Sequence, residues 1–594
     1  MSTEHLDPNK RDFSANARLP GICGLAAIIG VFSTIAAIVL LKLIYMFTNL
    51  FFFGTFSFVN HSPADNKLGA WVVLIPALGG LIVGLIARYG SDKIRGHGIP
   101  EAIEAILFGK SRMSPKVAVL KPLSSGIVIG SGGPFGAEGP IIMTGGALGS
   151  LLAQCVKVTA AERKTLLVAG AAAGMTAVFG TPVAAVLLAV ELLLFEWRPR
   201  SFLPVALACA VAGFMRAMWF GVGPLFPLET APPGTISLIS CLILGVASGA
   251  LASGLSVALY ATEDLFAKLP VHWMWWPAIG GLAVGLGGLI EPRVLGVGYD
   301  VIGDLLHQQL AVKVAVAILV VKAIIWVIAL GSGTSGGVLA PLLMLGAGLG
   351  IVMGPILPGH EAALWPLVAM AATLGATLGA PLTAIVFAFG LTHDANALLP
   401  LLAATLVAHG FTTVVMRRSI MTEKIARRGY HIYREYGVDP LERHHVDEVM
   451  TRTVQTIDAA LSLPEALSTF FGPSQSHRAY PVVRGDRLVG VADRETLVSL
   501  ADAHGGGANV MIGDAFVGKS VTVALPSETC RLVAARLAVH GLERVPVVAD
   551  RDSMKLAGIV SRSDLVKPSR MHFEEEQKRE RFRRVAWRPA KRRS

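Results

Sequence analysis

Gly130-Ser-Gly-Gly-Pro-Phe-Gly-Ala-Glu-Gly-Pro140 lies inside a long apolar region, yet it is rich in glycine and carries one carboxylate, Glu138. Glycine and proline break helices, and backbone amides freed inside a bilayer are costly unless they line a cavity. A lone acid in such a place marks a functional site by default.

The surrounding chain explains the setting. Its 594 residues are 53% hydrophobic and only 16% charged, with a mean hydropathy of +0.60. That is too apolar for a soluble protein and reads as a polytopic membrane protein. Apolar stretches occupy 20–53, 68–88, 117–130, 139–157, 165–195, 202–222, 235–260, 275–290, 310–330, 338–357, 362–391 and 396–416, whereas 417–594 has the patterning of a soluble domain. Several stretches fall short of the roughly 20 residues a full span needs. Others, such as 165–195 and 362–391, are too long for one straight crossing and predict tilted or broken helices.

The net charge of +11 gathers at the edges of the apolar region and in the tail, so it does not argue for nucleic acid. Lys10, Arg11 and Arg18 precede the first stretch; Arg417, Arg418, Lys424, Arg427 and Arg428 follow the last. By the positive-inside rule both termini are cytoplasmic, in an integral, multi-pass protein of the plasma (inner) membrane. The first apolar run, 19–53, is too long for the core of a cleaved signal. Cys23, Cys155, Cys209, Cys241 and Cys530 show no metal spacing and are expected to be buried free thiols.

An internal repeat decides the architecture. Lys121, Gly130, Gly132, Gly136, Pro140, Met143, Gly145 and Gly149 match Lys322, Gly331, Gly333, Gly337, Pro341, Met344, Gly346 and Gly350 at a constant spacing of 201. Gly180-Thr-Pro182 then matches Gly379-Ala-Pro381 at a spacing of 199. The residues alone do not say whether the repeat is parallel or inverted, but such repeats place a substrate site at their interface. Glu138 pairs with Leu339, and Glu191 with Gly390. Both halves need the glycines; only one needs the acid.

Three glycine loops lead into apolar helices: Gly96-His-Gly-Ile-Pro100, Gly136-Ala-Glu-Gly-Pro140 and Gly336-Gly-Val-Leu-Ala-Pro341. Proline suits a first helical turn because its missing N–H would be unpaired there. The remaining free amides and the helix dipole make each start a weak anion site. One such loop would read as a helix-packing device; three in one domain favour an anion pathway without a full positive charge.

These residues resemble the three anion-binding motifs of the CLC family of chloride channels and proton-coupled chloride transporters, and the similarity covers nearly all of 20–430. The resemblance implies an all-α membrane domain (19–430) with an inverted repeat and broken helices. It also implies a homodimer in the lipid bilayer and a pathway for chloride or a similar monovalent anion. The pathway residues carried over are His97, Gly98 and Ile99; Gly136, Ala137, Glu138 and Gly139; Gly337, Val338 and Leu339; and Met421 on a final helix within Ser419–Gly429. Glu138 takes the place of the gating glutamate, which competes with the anion and swings away when protonated. Burial disfavours its charge and helix-start amides favour it.

Departures from the family pattern are informative. His97 stands where members often have serine; either its ring donates to the anion or only its backbone matters. Ala137 replaces a common arginine. Met421 replaces a common tyrosine and has no hydrogen to donate, which leaves chloride over fluoride or nitrate undecided. Proton-coupled members often carry an inner glutamate where this chain has Leu192. Glu191 is the adjacent candidate for a proton pathway, but a helix turns about 100° per residue, so a structural or interface role is the alternative.

Beyond a linker (431–448), two similar units, about 449–504 and 511–568, resemble a tandem pair of α/β CBS domains. They share Tyr480-Pro-Val-Val483 with Val545-Pro-Val-Val548, and Gly490–Leu497 with Gly558–Leu565. In that resemblance Ser561 and Asp564 match positions that contact an adenine nucleotide (ATP, ADP or AMP), while the first unit has Asp493 and Thr496. A purely structural dimerisation module is the other reading, so no cofactor is required. The basic tail, 569–594, is a solvated segment or a weak contact to anionic headgroups.

The main expectation is therefore a passive chloride channel, with proton-coupled exchange of chloride or another anion as the alternative. A cation transporter with CBS domains is a distant third, since helix starts repel cations. No nucleophile–base pair or metal cluster suggests an enzyme.

Overall fold

The computed structural model describes residues 18–359, 361–429, 440–472, 475, 477–503, 510–518, 520–568 and 570. The N-terminal arm before Arg18, residues 431–439 of the linker and the basic tail from Met571 onward lie outside them. Contacts divide the chain into two compact units, one within 13–436 and one within 437–594.

The first unit is helical. Its first half comprises α1 (Leu19–Thr48), α2 (Leu74–Tyr89), α3 (Ile99–Leu107), α4 (Pro115–Gly130), α5 (Glu138–Cys155), α6 (Ala160–Phe179), α7 (Pro182–Leu188) and α8 (Pro199–Phe220). The second half repeats the order as α9 (Thr235–Ala267), α10 (Trp276–Ile290), α11 (Tyr299–Leu306), α12 (Val312–Gly331), α13 (Leu339–Met353), α14 (Leu364–Leu378), α15 (Pro381–Thr392) and α16 (Leu398–Val415). A final helix, α17 (Ile420–Arg427), has no counterpart. Among the described residues seven helical stretches are long and apolar enough to cross a membrane, beginning with Leu19–Phe53. The helices α3, α7, α11 and α15 are shorter, 7 to 12 residues each.

The shared glycines and prolines now have individual reasons. Gly180 and Gly379 end α6 and α14 in the left-handed conformation (φ 73° and 68°), and Pro182 and Pro381 open α7 and α15. Glycine after a helix and proline at the next start make a sharp break. The expected breaks in 165–195 and 362–391 fall there. Gly145 and Gly149 press α5 onto the carbonyls of Gly170 and Leu166, and Gly346 and Gly350 press α13 onto those of Ala369 and Trp365, with no room for a Cβ. Gly80 and Gly281 do the same between α2 and α10, each against the proline carbonyl of the other repeat, Pro277 and Pro76. For these positions close packing is the whole account.

The halves form an inverted repeat and meet through their broken loops. Gly136 and Gly337, equivalent residues, exchange amide–carbonyl hydrogen bonds in an antiparallel bridge (3.3 and 3.1 Å). The Gly96 amide donates to the Thr334 carbonyl (3.0 Å), and the Gly296 amide donates to the Gly132 carbonyl (3.0 Å). Two buried lysines hold these loops in parallel fashion. Lys121 Nζ donates to the carbonyls of Ile94 and Gly96 (2.8 and 2.8 Å), and Lys322 Nζ to those of Val294 and Gly296 (2.8 and 3.0 Å). The loop before α11 was not anticipated, although Gly296 and Gly298 follow Gly96 and Gly98 at a spacing of 200. The expectation of buried cysteines holds for Cys209, Cys241 and Cys530; Cys155 is exposed and Cys23 half-buried, because each lies on the outer side of its helix.

The second unit pairs two α/β modules. In the first, β1 (Ile457–Asp458) runs parallel to β2 (Ala479–Arg484), which is antiparallel to β3 (Arg487–Asp493). In the second, β4 (Arg544–Val548) is antiparallel to β5 (Leu556–Ser561). The register shifts at Val482/Val483 and again at Val547/Val548, the same place in the two Pro-Val-Val motifs. Val446, Val449 and Met450, ahead of the first module's strands, pack in the core of the second, and Thr451 bridges to Ile559 of β5. Glu528, 2% exposed, takes two hydrogen bonds from Arg536 (2.7 and 2.8 Å) and one from the Leu525 amide (3.0 Å). Burial pushes its carboxyl up, but Arg536 and the amide together hold it below the usual carboxylate range.

Two outcomes follow from these contacts. Lys121→Met and Lys322→Met each leave two buried carbonyls without a donor, at about 1–3 kcal/mol per group; similar losses in thermal stability of the purified protein are expected for the two. Glu528→Ala takes the carboxylate away from Arg536, which keeps the Val523 carbonyl (2.6 Å), and is expected to cost the second unit about 1.5–3 kcal/mol. Because the Glu528 pKa is depressed on folding, its contribution is present at neutral pH and lost as pH falls through the folded value. Thermal unfolding of wild type should therefore be more acid-sensitive than that of the variant.

Candidate anion pathway

Three helix starts converge where the sequence placed them. At α3, Gly98 caps the helix at φ 92°, Pro100 lies in the first turn, and the Glu101 carboxylate turns back to accept from the Gly98 amide (2.8 Å). At α5, Glu138 is itself the first helical residue, with Pro140 two positions on. At α13, Leu339 is first and Pro341 follows. The loops touch directly. A Cβ on Gly139 would strike the His97 carbonyl and one on Gly98 would meet the Gly139 carbonyl (2.5 Å). A Cβ on Gly337 would lie 3.0 Å from the Gly139 amide nitrogen. Only glycine lets three backbones approach this closely.

Glu138 is 0% exposed and its carboxylate is folded back over the loops. A Cβ on Gly136 would collide with both carboxylate oxygens, and one on Gly337 would lie 2.9 Å from Oε2. Oε1 accepts a hydrogen bond from the Tyr299 hydroxyl (3.1 Å), and Oε2 has no hydrogen-bond partner among the described residues. The carboxylate thus sits against the starts of α5 and α13, with Tyr299 and no cation beside it. Its surroundings are what an anion needs, and the carboxylate stands in for one.

The other expected residues distribute as follows. His97 is 1% exposed, with Nδ1 lacking a hydrogen-bond partner among the described residues. Ile99, Ala137, Val338 and Leu339 are fully buried beside it, so they contribute backbone and apolar wall. Met421 is buried on α17, which packs against α3 and is anchored by the Tyr260 hydroxyl donating to the Ile420 carbonyl (2.5 Å). Lys424, one turn further along α17, pairs with Glu101 (2.8 Å). A cavity of about 820 Å³ opens beside Gly96 and is lined by charges of both signs, including Arg95, Glu101, Glu263, Lys424 and Arg427.

Glu191 is not brought to the three loops. It follows α7, and its carboxylate accepts from the Leu382 and Thr383 amides (3.3 and 2.8 Å) and the Thr383 hydroxyl (2.6 Å), capping α15 of the other repeat. Leu192 beside it is fully buried. In the second unit, the Ser561 hydroxyl donates to Asp564 (2.6 Å), which also pairs with Lys567 (2.7 Å). Burial pushes the Asp564 carboxyl up, and Lys567 and Ser561 bring it down to a net lowering. In the first module Asp493 accepts from the Thr496 amide (2.7 Å), the matching turn. No group of three or more metal-ligating side chains occurs among the described residues.

Sequence reasoning missed Tyr299. It heads α11, the counterpart of α3, and the repeated Gly-x-Gly before it was the available signal.

Comparison with known proteins agrees with this geometry. The family profile described as voltage gated chloride channel matches residues 79–413, and that of the CBS domain matches 446–502 and 512–569. An H(+)/Cl(-) exchange transporter, ClcA, of Salmonella arizonae is 28% identical over 392 residues, covering 61% of this chain and 81% of its own. The crystal structure of a slow cyanobacterial Cl-/H+ antiporter aligns with a TM-score of 0.60 at 22% identity, over 70% of this chain and 99% of its own. That of a eukaryotic CLC transporter aligns with a TM-score of 0.58 at 18% identity, over 92% and 98%. The chain is therefore an integral membrane protein that belongs to the voltage gated chloride channel (CLC) family of anion transporters, with a pair of CBS domains after its membrane unit.

Proposed function

We propose that the chain conducts chloride, or a similar monovalent anion, passively across the bilayer, through a pathway lined by the starts of α3, α5 and α13 and gated by Glu138. The observation that carries this reading is the Glu138 carboxylate folded over Gly136 and Gly337, in surroundings built for an anion. Helix-start amides hold an anion without a full positive charge, so it binds and still leaves. Protonation removes the competing charge, so conduction rises as pH falls.

Passive conduction is supported by the two residues at the usual inner proton step. Leu192 is buried and carries no proton, and Glu191 is committed to the start of α15. Proton-coupled exchange is the second reading, favoured by the name of the Salmonella relative. A cation carrier is disfavoured, because the helix starts present donors to the pathway. The proposed protein acts by transport and not by catalysis, as a homodimer with both termini cytoplasmic in the plasma (inner) membrane. At the CBS pair, Ser561 and Asp564 form the turn to which an adenine nucleotide would bind, as a regulator and not a required cofactor.

In liposomes with an imposed chloride gradient, the reversal potential is expected to follow chloride alone and to ignore a superimposed proton gradient. A shift with the proton gradient would replace conduction by exchange. Glu138→Ala is expected to flatten the rise of flux on acidification to a ratio near one; a retained pH response would remove Glu138 from the gate.

A further inference from the structure

The loops before α3 and α11 are built alike. Gly96, Gly98, Gly296 and Gly298 all have positive φ (91°, 92°, 66° and 74°), and each pair is tied by a buried lysine of its own repeat. Each loop also donates its first glycine amide to the broken loop of the other repeat. The symmetry that aims the start of α3 at the pathway therefore aims the start of α11 there as well. What the two starts present is different. In the first repeat the residue after the glycine is Ile99, which has nothing to donate; in the second it is Tyr299, whose hydroxyl reaches Glu138 Oε1 at 3.1 Å.

The phenol is held firmly. Its ring packs edge-on against Phe179 (centroids 6.0 Å apart, 77°) and at a tilt against Phe226 (6.5 Å, 57°), and Phe179 is backed by Phe387 (4.8 Å). The hydroxyl lies on the axis about which a tyrosine ring flips, so ring motion does not displace it. Gly136 and Gly337 lie under the carboxylate and leave no room for a side chain.

We propose that Tyr299 is a positioning residue that seats the Glu138 carboxylate in the anion pathway. The gate's closed position then depends on a neutral donor from the second repeat and not on a cation. An entering anion must displace the carboxylate from this hydroxyl, so the bond lowers the apparent affinity for the anion. The inference rests on the reading of Glu138 as the anion's competitor. A hydrogen bond to a charged group corresponds to about a tenfold change in an equilibrium.

The test is calorimetric titration of the purified full chain with chloride at neutral pH, for wild type, Tyr299→Phe, Glu138→Ala and the double variant. Phenylalanine keeps the ring contacts and removes only the hydroxyl. Glu138→Ala is expected to bind chloride more tightly than wild type. Tyr299→Phe is expected to tighten binding by about tenfold, and to give no tightening when Glu138 is already alanine. Tighter binding by Glu138→Ala with Tyr299→Phe unchanged from wild type would overturn the role of Tyr299. So would the same tightening by Tyr299→Phe on both backgrounds, because a structural effect needs no carboxylate. If Glu138→Ala leaves binding unchanged, the competitor reading itself falls.

Discussion

The reciprocal hydrogen bonds between Gly136 and Gly337 set the terms for the membrane unit. Two equivalent loops, one from each repeat, meet backbone to backbone at the point where α5 and α13 begin. Neither residue has space for a Cβ. A bilayer offers no water to freed backbone groups, so a broken helix survives only where the break is enclosed by protein or lines a cavity. The two breaks enclose each other, and the Glu138 carboxylate fills what remains.

Charge in this unit does structural and functional work in different places. Lys121 and Lys322 are buried, and their amines are spent on loop carbonyls. Lys424 is paired with Glu101 beside the first loop. Where the helix starts meet, the groups present are backbone, the Glu138 carboxylate and the Tyr299 phenol. Weak, well-oriented donors suit an ion that must be released as well as bound. Symmetry supplies the frame, and three features depart from it: Glu138 against Leu339, Tyr299 against Ile99, and an α17 with no counterpart.

The second unit follows a similar economy. Two modules carry the same strand irregularity at the same Pro-Val-Val motif, and the segment Val446–Thr451 ties the chain ahead of the first module into the second. Glu528 and Arg536 form a buried pair in which every strong partner is accounted for. The Ser561–Asp564 turn recurs in the first module as Asp493–Thr496.

The order of elements, the repeat and the three glycine loops were legible in the chain because glycine and proline mark local backbone events. Gly180 and Gly379 could be read as helix ends, and Pro140 and Pro341 as helix starts, without any partner in view. The asymmetry of Glu138 was legible for the same reason, since a repeat exposes what it does not copy. The Tyr299–Glu138 bond was not, because it joins side chains 161 positions apart and leaves no local pattern. The capping of α15 by Glu191 was hidden in the same way, across repeats. Sequence by itself determined which backbone segments must break; only the tertiary structure decided which side chains meet at the breaks, because those contacts exist only once both repeats are in place.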